Sequence, residues 1–249
     1  MHPKIGVPNL TRAVGGLPAI GAQSLDVATL TSTATKTKML EAVKVGHNAW
    51  RLQARFKNIM INGLTAIGTP GCLDGPALES LIKAAPGVAG EQGASADLRN
   101  AVAKGVSTCF AQWQSLVTVP GLPWYPMFVA FPASMAPPTP NVPTPLVACP
   151  SGLASKIITA PPLKQAIVAA LPAALRVPQV EACVGTMAQS LALYFTSWLP
   201  MQMVTNVLGK GPVPSFAPPY VPVGTVVGGS IISSPGHLAS GGQPSMIVM

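Results

Sequence analysis

The feature that most constrains this chain is that part of it occurs twice. Shifted without a gap, residues 103–155 register on residues 188–240. Ala103 falls on Ala188, Phe110 on Phe195, Trp113 on Trp198, Phe131 on Phe216 and Pro137 on Pro222. Each copy reads as a helix ending in aromatics, a long proline-rich stretch and a short turn. Duplication means that one packing solution is used again. A shorter, diverged copy over 37–86 makes the repeat threefold, beside clean copies at 94–160 and 178–240.

Helical periodicity supports this reading. In the first copy Val45, Ala49, Leu52, Phe56 and Ile59 recur at steps of four and three, the spacing of one helix face. The spacing predicts a helix from Thr37 to Asn62, ended by Gly63. A second helix is expected from Ser95 to Val117, and a third from Val180 to Leu199. The residues that follow the second helix hold Pro120, Pro123, Pro126, Pro132, Pro137, Pro138, Pro140, Pro143, Pro145 and Pro150. Proline fixes φ and lacks a donor, so this backbone is expected to be extended but not a central strand. Its apolar side chains need something to cover, which suggests a strap laid over helices. Residues 225–232, Thr-Val-Val-Gly-Gly-Ser-Ile-Ile, read as a small hairpin about a Gly-Gly turn.

The fold class expected is therefore mainly α, built of repeated helix-plus-strap units with a small β-hairpin near the C-terminus. The expected organisation is an N-terminal arm at 1–35, a diverged first helical repeat at 36–90, a second helix-strap repeat at 91–162 and a third at 163–249 carrying an apolar tail.

Charge narrows the class of job. Only 9% of residues are charged although 49% are hydrophobic, against about 25% charged in ordinary domains. Residues 105–155 hold no Asp, Glu, Lys or Arg, and Lys210 is the only one from 182 onward. Such a surface tends to associate. A membrane span is disfavoured: 182–209 is uncharged but carries many polar residues and Pro200, and proline-rich irregular backbone cannot face lipid. The N-terminus lacks the continuous apolar core of a signal peptide. The net charge of +8 gathers at Lys36, Lys38, Lys44, Arg51, Arg55 and Lys57. This is read as a solvated helix face, not a nucleic-acid site.

Catalytic signatures are missing. The histidines are His2, His47 and His237, the seven carboxylates are scattered, and no nucleophile elbow, phosphate loop or dinucleotide pattern occurs. No catalytic, cofactor-binding or metal-ligating residue is assigned, and no cofactor is expected. Cys72, Cys109, Cys149 and Cys183 lack the spacing of a zinc site. They read as buried free thiols, with disulfides as the alternative.

The function expected is that of a structural subunit of a large assembly, with a bacteriophage virion (tail, baseplate or capsid-associated) as the leading setting. Its partners would be copies of itself and other subunits. It would be made in the cytoplasm without a signal peptide and end in the particle. A membrane-associated protein is the alternative, ahead of an enzyme of unrecognised type. The candidate interface residues are Trp124, Tyr125, Phe128 and Phe131 in the first strap, Phe216 and Tyr220 in the second, and Ile247 and Val248 in the tail.

Overall fold

A computed structural model describes residues 26–129, 131–214, 216–217, 221–222 and 224–240. Of the arm expected at 1–35, residues 1–25 lie outside them, as does the tail at 241–249, and the rest of that arm is helical.

The first unit opens with a short helix, α1 (Val27–Thr31), and a long one, α2 (Thr33–Gln53). The Ser32 hydroxyl accepts the Thr35 N–H at 3.2 Å, which caps α2. The buried stripe of α2 is Met39, Leu40, Val43, His47 and Trp50, while Val45 and Leu52 are exposed. Two stripes with helical spacing compete on this helix. The one chosen from sequence is the outer one, because its apparent continuation, Phe56 and Ile59, lies beyond the helix. The chain leaves α2 at Ala54 and forms β1 (Arg55–Phe56), β2 (Ile59–Asn62), β3 (Thr65–Gly68) and β4 (Leu73–Asp74). Gly63, at φ +65°, makes the β2–β3 turn instead of stopping a helix.

The second unit repeats the plan with α3 (Leu78–Lys83) and α4 (Gly93–Ser115), then β5 (Val119–Pro123), α5 (Pro126–Val129), β6 (Met135–Pro140) and β7 (Thr144–Pro145). The third has α6 (Ser155–Ile158), α7 (Ala160–Ala170) and α8 (Pro178–Trp198). Proline occupies the first turn of both α7 and α8, where its missing donor costs nothing. Its strands are β8 (Gln202–Val204), β9 (Leu208–Pro212), β10 (Phe216–Ala217), β11 (Val221–Pro222), β12 (Gly229–Ile232) and β13 (Leu238–Ser240).

The expectation of a mainly α, helix-plus-strap chain is corrected by these strands. The fold is mixed α/β, with a six-stranded antiparallel sheet in the order β5-β3-β2-β12-β9-β6, a three-stranded sheet β13-β8-β7, and the pairs β1-β4 and β10-β11. The proline-rich stretches are strands of these sheets. Prolines fit because the ladder breaks where they fall: the β6–β9 register shifts between Ala136 and Thr139, across Pro137 and Pro138. The expected C-terminal hairpin does not form either. Residues 229–232 are a single strand set between β2 and β9, because an isolated hairpin leaves unpaired edges that neighbouring strands satisfy.

The six-stranded sheet closes on itself. Its two edge strands meet at an antiparallel bridge between Trp124 and Asn141, and Val142 N–H donates to Pro123 O at 2.9 Å. Each unit contributes one strand running out from the helices and one returning: β2 and β3, β5 and β6, β9 and β12. Each returning strand also pairs with the outgoing strand of the next unit: β3 with β5, β6 with β9, and β12 with β2. One bridge and one hydrogen bond thus join the two edge strands at their ends.

The helices follow the same cyclic order. α3 packs on α2 and α4, α7 on α4 and α8, and α1 on α8 and α2, so long and short helices alternate round a ring. Two of these crossings are unusually close. A Cβ at Gly46 would sit 2.7 Å from Ile82 N, and one at Gly105 would sit 2.6 Å from Ile167 N and Cα. Glycine there lets the two helix backbones touch. In the ring centre His47, Trp50, Phe110, Trp113, Tyr194, Phe195 and Trp198 contact one another, with Trp50 and Trp113 centroids 6.4 Å apart and Trp113 and Trp198 5.9 Å apart. Each long helix thus delivers one tryptophan from its last turn or two to a common centre.

Between ring and barrel lies a neck in which the chain just after each long helix pairs with the same unit's return: Arg55 with Asp74, Val117 with Ser151, and Val204 with Leu238. The molecule is therefore a cyclic pseudo-threefold body with helices at one end and a barrel at the other.

Candidate functional site

The polar groups inside the molecule are structural in their geometry. His47 Nδ1 lies 3.0 Å from the Tyr194 hydroxyl, and both side chains are sealed, at 0% and 1% exposure. Burial, with Arg51 nearby, pushes His47 down to about 3 and burial pushes Tyr194 up. The pair is neutral and no substrate reaches it. His237 accepts the Phe56 N–H on Nδ1 at 2.8 Å, and its Nε2 faces Ser234 Oγ at 3.3 Å. A backbone N–H can only donate, so the neutral ring carries its proton on Nε2 and donates to Ser234. It offers that hydroxyl no bare nitrogen, as a nucleophile would need. His237 instead joins the third unit's return to the first unit's neck, beside the Gly236 and His237 N–H bonds to Ala54 O.

All four cysteines are free and buried. Burial, with the Cys72 thiol beside it, pushes Cys149 up to about 12, and burial pushes Cys72 up to about 11. Both are thiols and poor nucleophiles at neutral pH. Among the described residues no cluster of three or more His, Cys, Asp or Glu is placed to hold a metal, and no helix is long and apolar enough to cross a membrane.

The surface divides sharply. The helical end and neck carry the ion pairs Lys38–Glu91, Lys44–Glu41, Lys83–Glu79 and the pairs of Arg55 and Lys57 with Asp74. Burial raises the Asp74 carboxyl, but the hydrogen bonds and charges of Arg55 and Lys57 outweigh it and hold the group below its ordinary range. The basic cluster expected at 36–57 is thus spread along α2 and the neck. In the six barrel strands the only charged residue is Lys210.

The barrel's outer rim is laced by backbone bonds that pass from unit to unit. Trp124 N–H donates to Leu64 O at 2.8 Å, Gly63 N–H to Val226 O at 2.7 Å, and Val213 N–H to Ser134 O at 2.8 Å. Each unit then presents an exposed apolar side chain there: Leu64 at 39%, Met127 at 72% and Val227 at 53%. Tyr125 stands beside Met127, and Met60, Ile67 and Met135 are exposed on the outer wall. Inside, Ile61, Trp124 and Phe128 fill the barrel, and a Cβ at Gly209 would lie 2.7 Å from Ile61 Cδ1 and Trp124 Nε1. The barrel is a plug and not a channel.

The candidate interface residues scatter against this picture. Trp124 and Phe128 are interior, with Trp124 Nε1–H donating to Thr139 O at 3.0 Å and the two rings 5.8 Å apart. Phe131 is half-buried against the core, and Tyr125 is exposed at the rim. Phe216 lies in β10, whose side chains are not described; Tyr220, Ile247 and Val248 lie outside the described residues. Leu64, Met127 and Val227 went unrecognised in sequence because the largest aromatics drew attention, and those are the residues a core takes first.

One cleft of 420 Å³ lies on the helical side, lined by Ile158, Ala160, Gln189, Ala192, Leu193 and Thr196, without a charged or titratable group. No family model, curated protein or solved structure matches the chain.

Proposed function

We propose that this chain is a structural subunit of a large protein assembly, with a bacteriophage virion or related tail-like particle as its setting. The observation that carries this reading is a barrel whose strands bear only one charge, Lys210, with a ring of exposed apolar residues, opposite a helical end that carries the ion pairs. Monomeric proteins avoid contiguous uncharged apolar surface because it associates. A surface partitioned in this way gives the molecule one end for solvent or a polar neighbour and one for a dry contact.

The interior supports a mechanical role. His47 with Tyr194 and His237 with Ser234 are held in neutral pairs, and the barrel is filled. Binding a neighbour would use the rim as a preformed rigid surface, which keeps the ordering cost of association low.

Sedimentation of lysates from cells that make the chain tests the reading. The chain should travel with a particle far larger than its own 25.4 kDa and stay there in high salt, because the contact is apolar. Recovery only as a free monomer by size exclusion with light scattering would refute it. Flotation of the pure protein with neutral lipid vesicles would favour membrane association instead.

A further inference from the structure

We infer that the barrel rim seats on the threefold axis of a homotrimeric protein, one copy of this chain to three of the partner. The inference rests on the assembly reading above and adds the symmetry and stoichiometry of the partner.

Three units close cyclically in the barrel, in the helix ring and at the neck, so the molecule has one approximate threefold axis, running from helices to rim. Perpendicular to it stands the rim, and among the described residues each unit places an exposed apolar side chain there: Leu64, Met127 beside Tyr125, and Val227. The three tips are built differently. Leu64 sits in a tight turn, Met127 in the four-residue α5, and Val227 just before β12. Three dissimilar connections therefore end alike, in an exposed, uncharged apolar residue on a common ring of backbone hydrogen bonds.

The rim's symmetry selects the occupant. A partner with a single binding patch would engage one tip and leave two exposed. A second copy docking rim to rim would need a self-complementary surface about a twofold axis, which three tips of different shape do not offer. A homotrimer end presents three equivalent patches at equal spacing, and each tip can take one. Three weak apolar contacts made together give avidity that no single tip supplies. Seated this way, the chain turns its ion-paired helical end away from the partner. The partner's patches are expected to be apolar and uncharged, since neither the tips nor their connections carry an ion pair donor or acceptor group.

A photo-crosslinking phenylalanine analogue placed separately at Leu64, Met127 and Val227, in cells that make the chain, tests this. Leu193, exposed on α8, serves as the control position. All three rim positions should capture the same polypeptide, and peptide mapping should place all three crosslinks in the same segment of it. Native mass spectrometry of the complex should give one copy of this chain to three of the partner. Leu193 should not reach that segment. The double variant Met127→Asp, Val227→Asp, folded by circular dichroism, should reduce recovery in the complex at least about tenfold. Crosslinks to different polypeptides or different segments, a one-to-one mass, lipid adducts, self-crosslinks or no rim crosslink at all would each overturn the inference. If the chain still sediments with a particle in those cases, only the threefold seat fails; if it runs as a free monomer, the assembly reading fails with it.

Discussion

The helix ring and the strand barrel obey the same cyclic order yet solve opposite packing problems. The ring is wide, and its centre must be filled: three tryptophans, two phenylalanines, Tyr194 and His47 meet there. The barrel is narrow, and a few large side chains fill it: Gly209 and Gly211 make room for them, since a Cβ there would fall 2.7 Å from Trp124 Nε1 or 2.5 Å from Val226 Cγ1. Outside, the contrast reverses. Helices have a solvent face that takes charged residues readily, and most of the ring's charges lie on α2, α3 and α4; the barrel strands bear only Lys210. One topology thus produces a self-sufficient end and an end whose surface is finished by something else. Substitutions in the ring should act on folding, and those on the rim should act on assembly.

The largest expected effect is at the ring centre. Trp198→Ala removes a side chain that is 0% exposed and touches His47, Trp113 and Phe195. It should cost about 3–5 kcal/mol in urea unfolding, and Trp50→Ala and Trp113→Ala should fall in the same range if the three positions are equivalent. One of them behaving as a surface residue would break the threefold account of the ring.

Close helix contact comes next. Gly105→Ala and Gly46→Ala should each cost about 1–3 kcal/mol, because the new methyl meets backbone atoms that must move apart. Gly121→Ala, with nothing within 4 Å of its Cβ, is the control on the barrel wall.

Acid should weaken the ring and neck before the barrel strands. His47 and His237 have folded values lowered to about 3 and about 4 by burial, below the ordinary 6.5. The unfolded chain therefore binds protons that the folded chain refuses. Their stabilising contribution is whole above pH 6.5 and is lost as pH falls toward the folded values. Each histidine should cost about 2 kcal/mol between pH 6.5 and 5. Melting temperature should fall over that interval, and less steeply in His237→Asn than in the parent. A flat profile would mean that these rings are not held neutral.

The smallest effect on folding is expected at the rim. Met127→Asp and Val227→Asp change exposed side chains and should shift unfolding by no more than about 0.5 kcal/mol each, while particle association is lost. A large folding penalty there would erase the contrast between ring and rim.

Several of these features were legible in the sequence. The register of Trp113 on Trp198 and of Phe110 on Phe195 marked residues that do share a centre, and two of the three long helices were placed within about two residues at each end. The first ends at Gln53 although Phe56 and Ile59 extend its apolar period, because periodicity does not register where backbone pairing takes over. Pro137 and Pro138 argued against a central strand, and β6 lies at the edge of the six-stranded ladder, its register with β9 shifting across the two prolines. Residues 229–232 looked like half of a hairpin because their true partners, β2 and β9, are distant in the chain. At the rim, no local pattern distinguishes an apolar turn residue that stays exposed from one that is covered.

The sequence by itself determined that a packing unit recurs, that aromatics close each long helix, and that one half of the molecule has almost no charge. Those are local and compositional facts, set by side-chain chemistry and spacing. Only the tertiary structure decided that the proline-rich stretches are strands, that the first and third units meet, and that the barrel and ring close. Closure depends on hydrogen bonds between residues far apart in the chain, such as Phe56 N–H to His237, and nothing local encodes which partner a free strand edge will find.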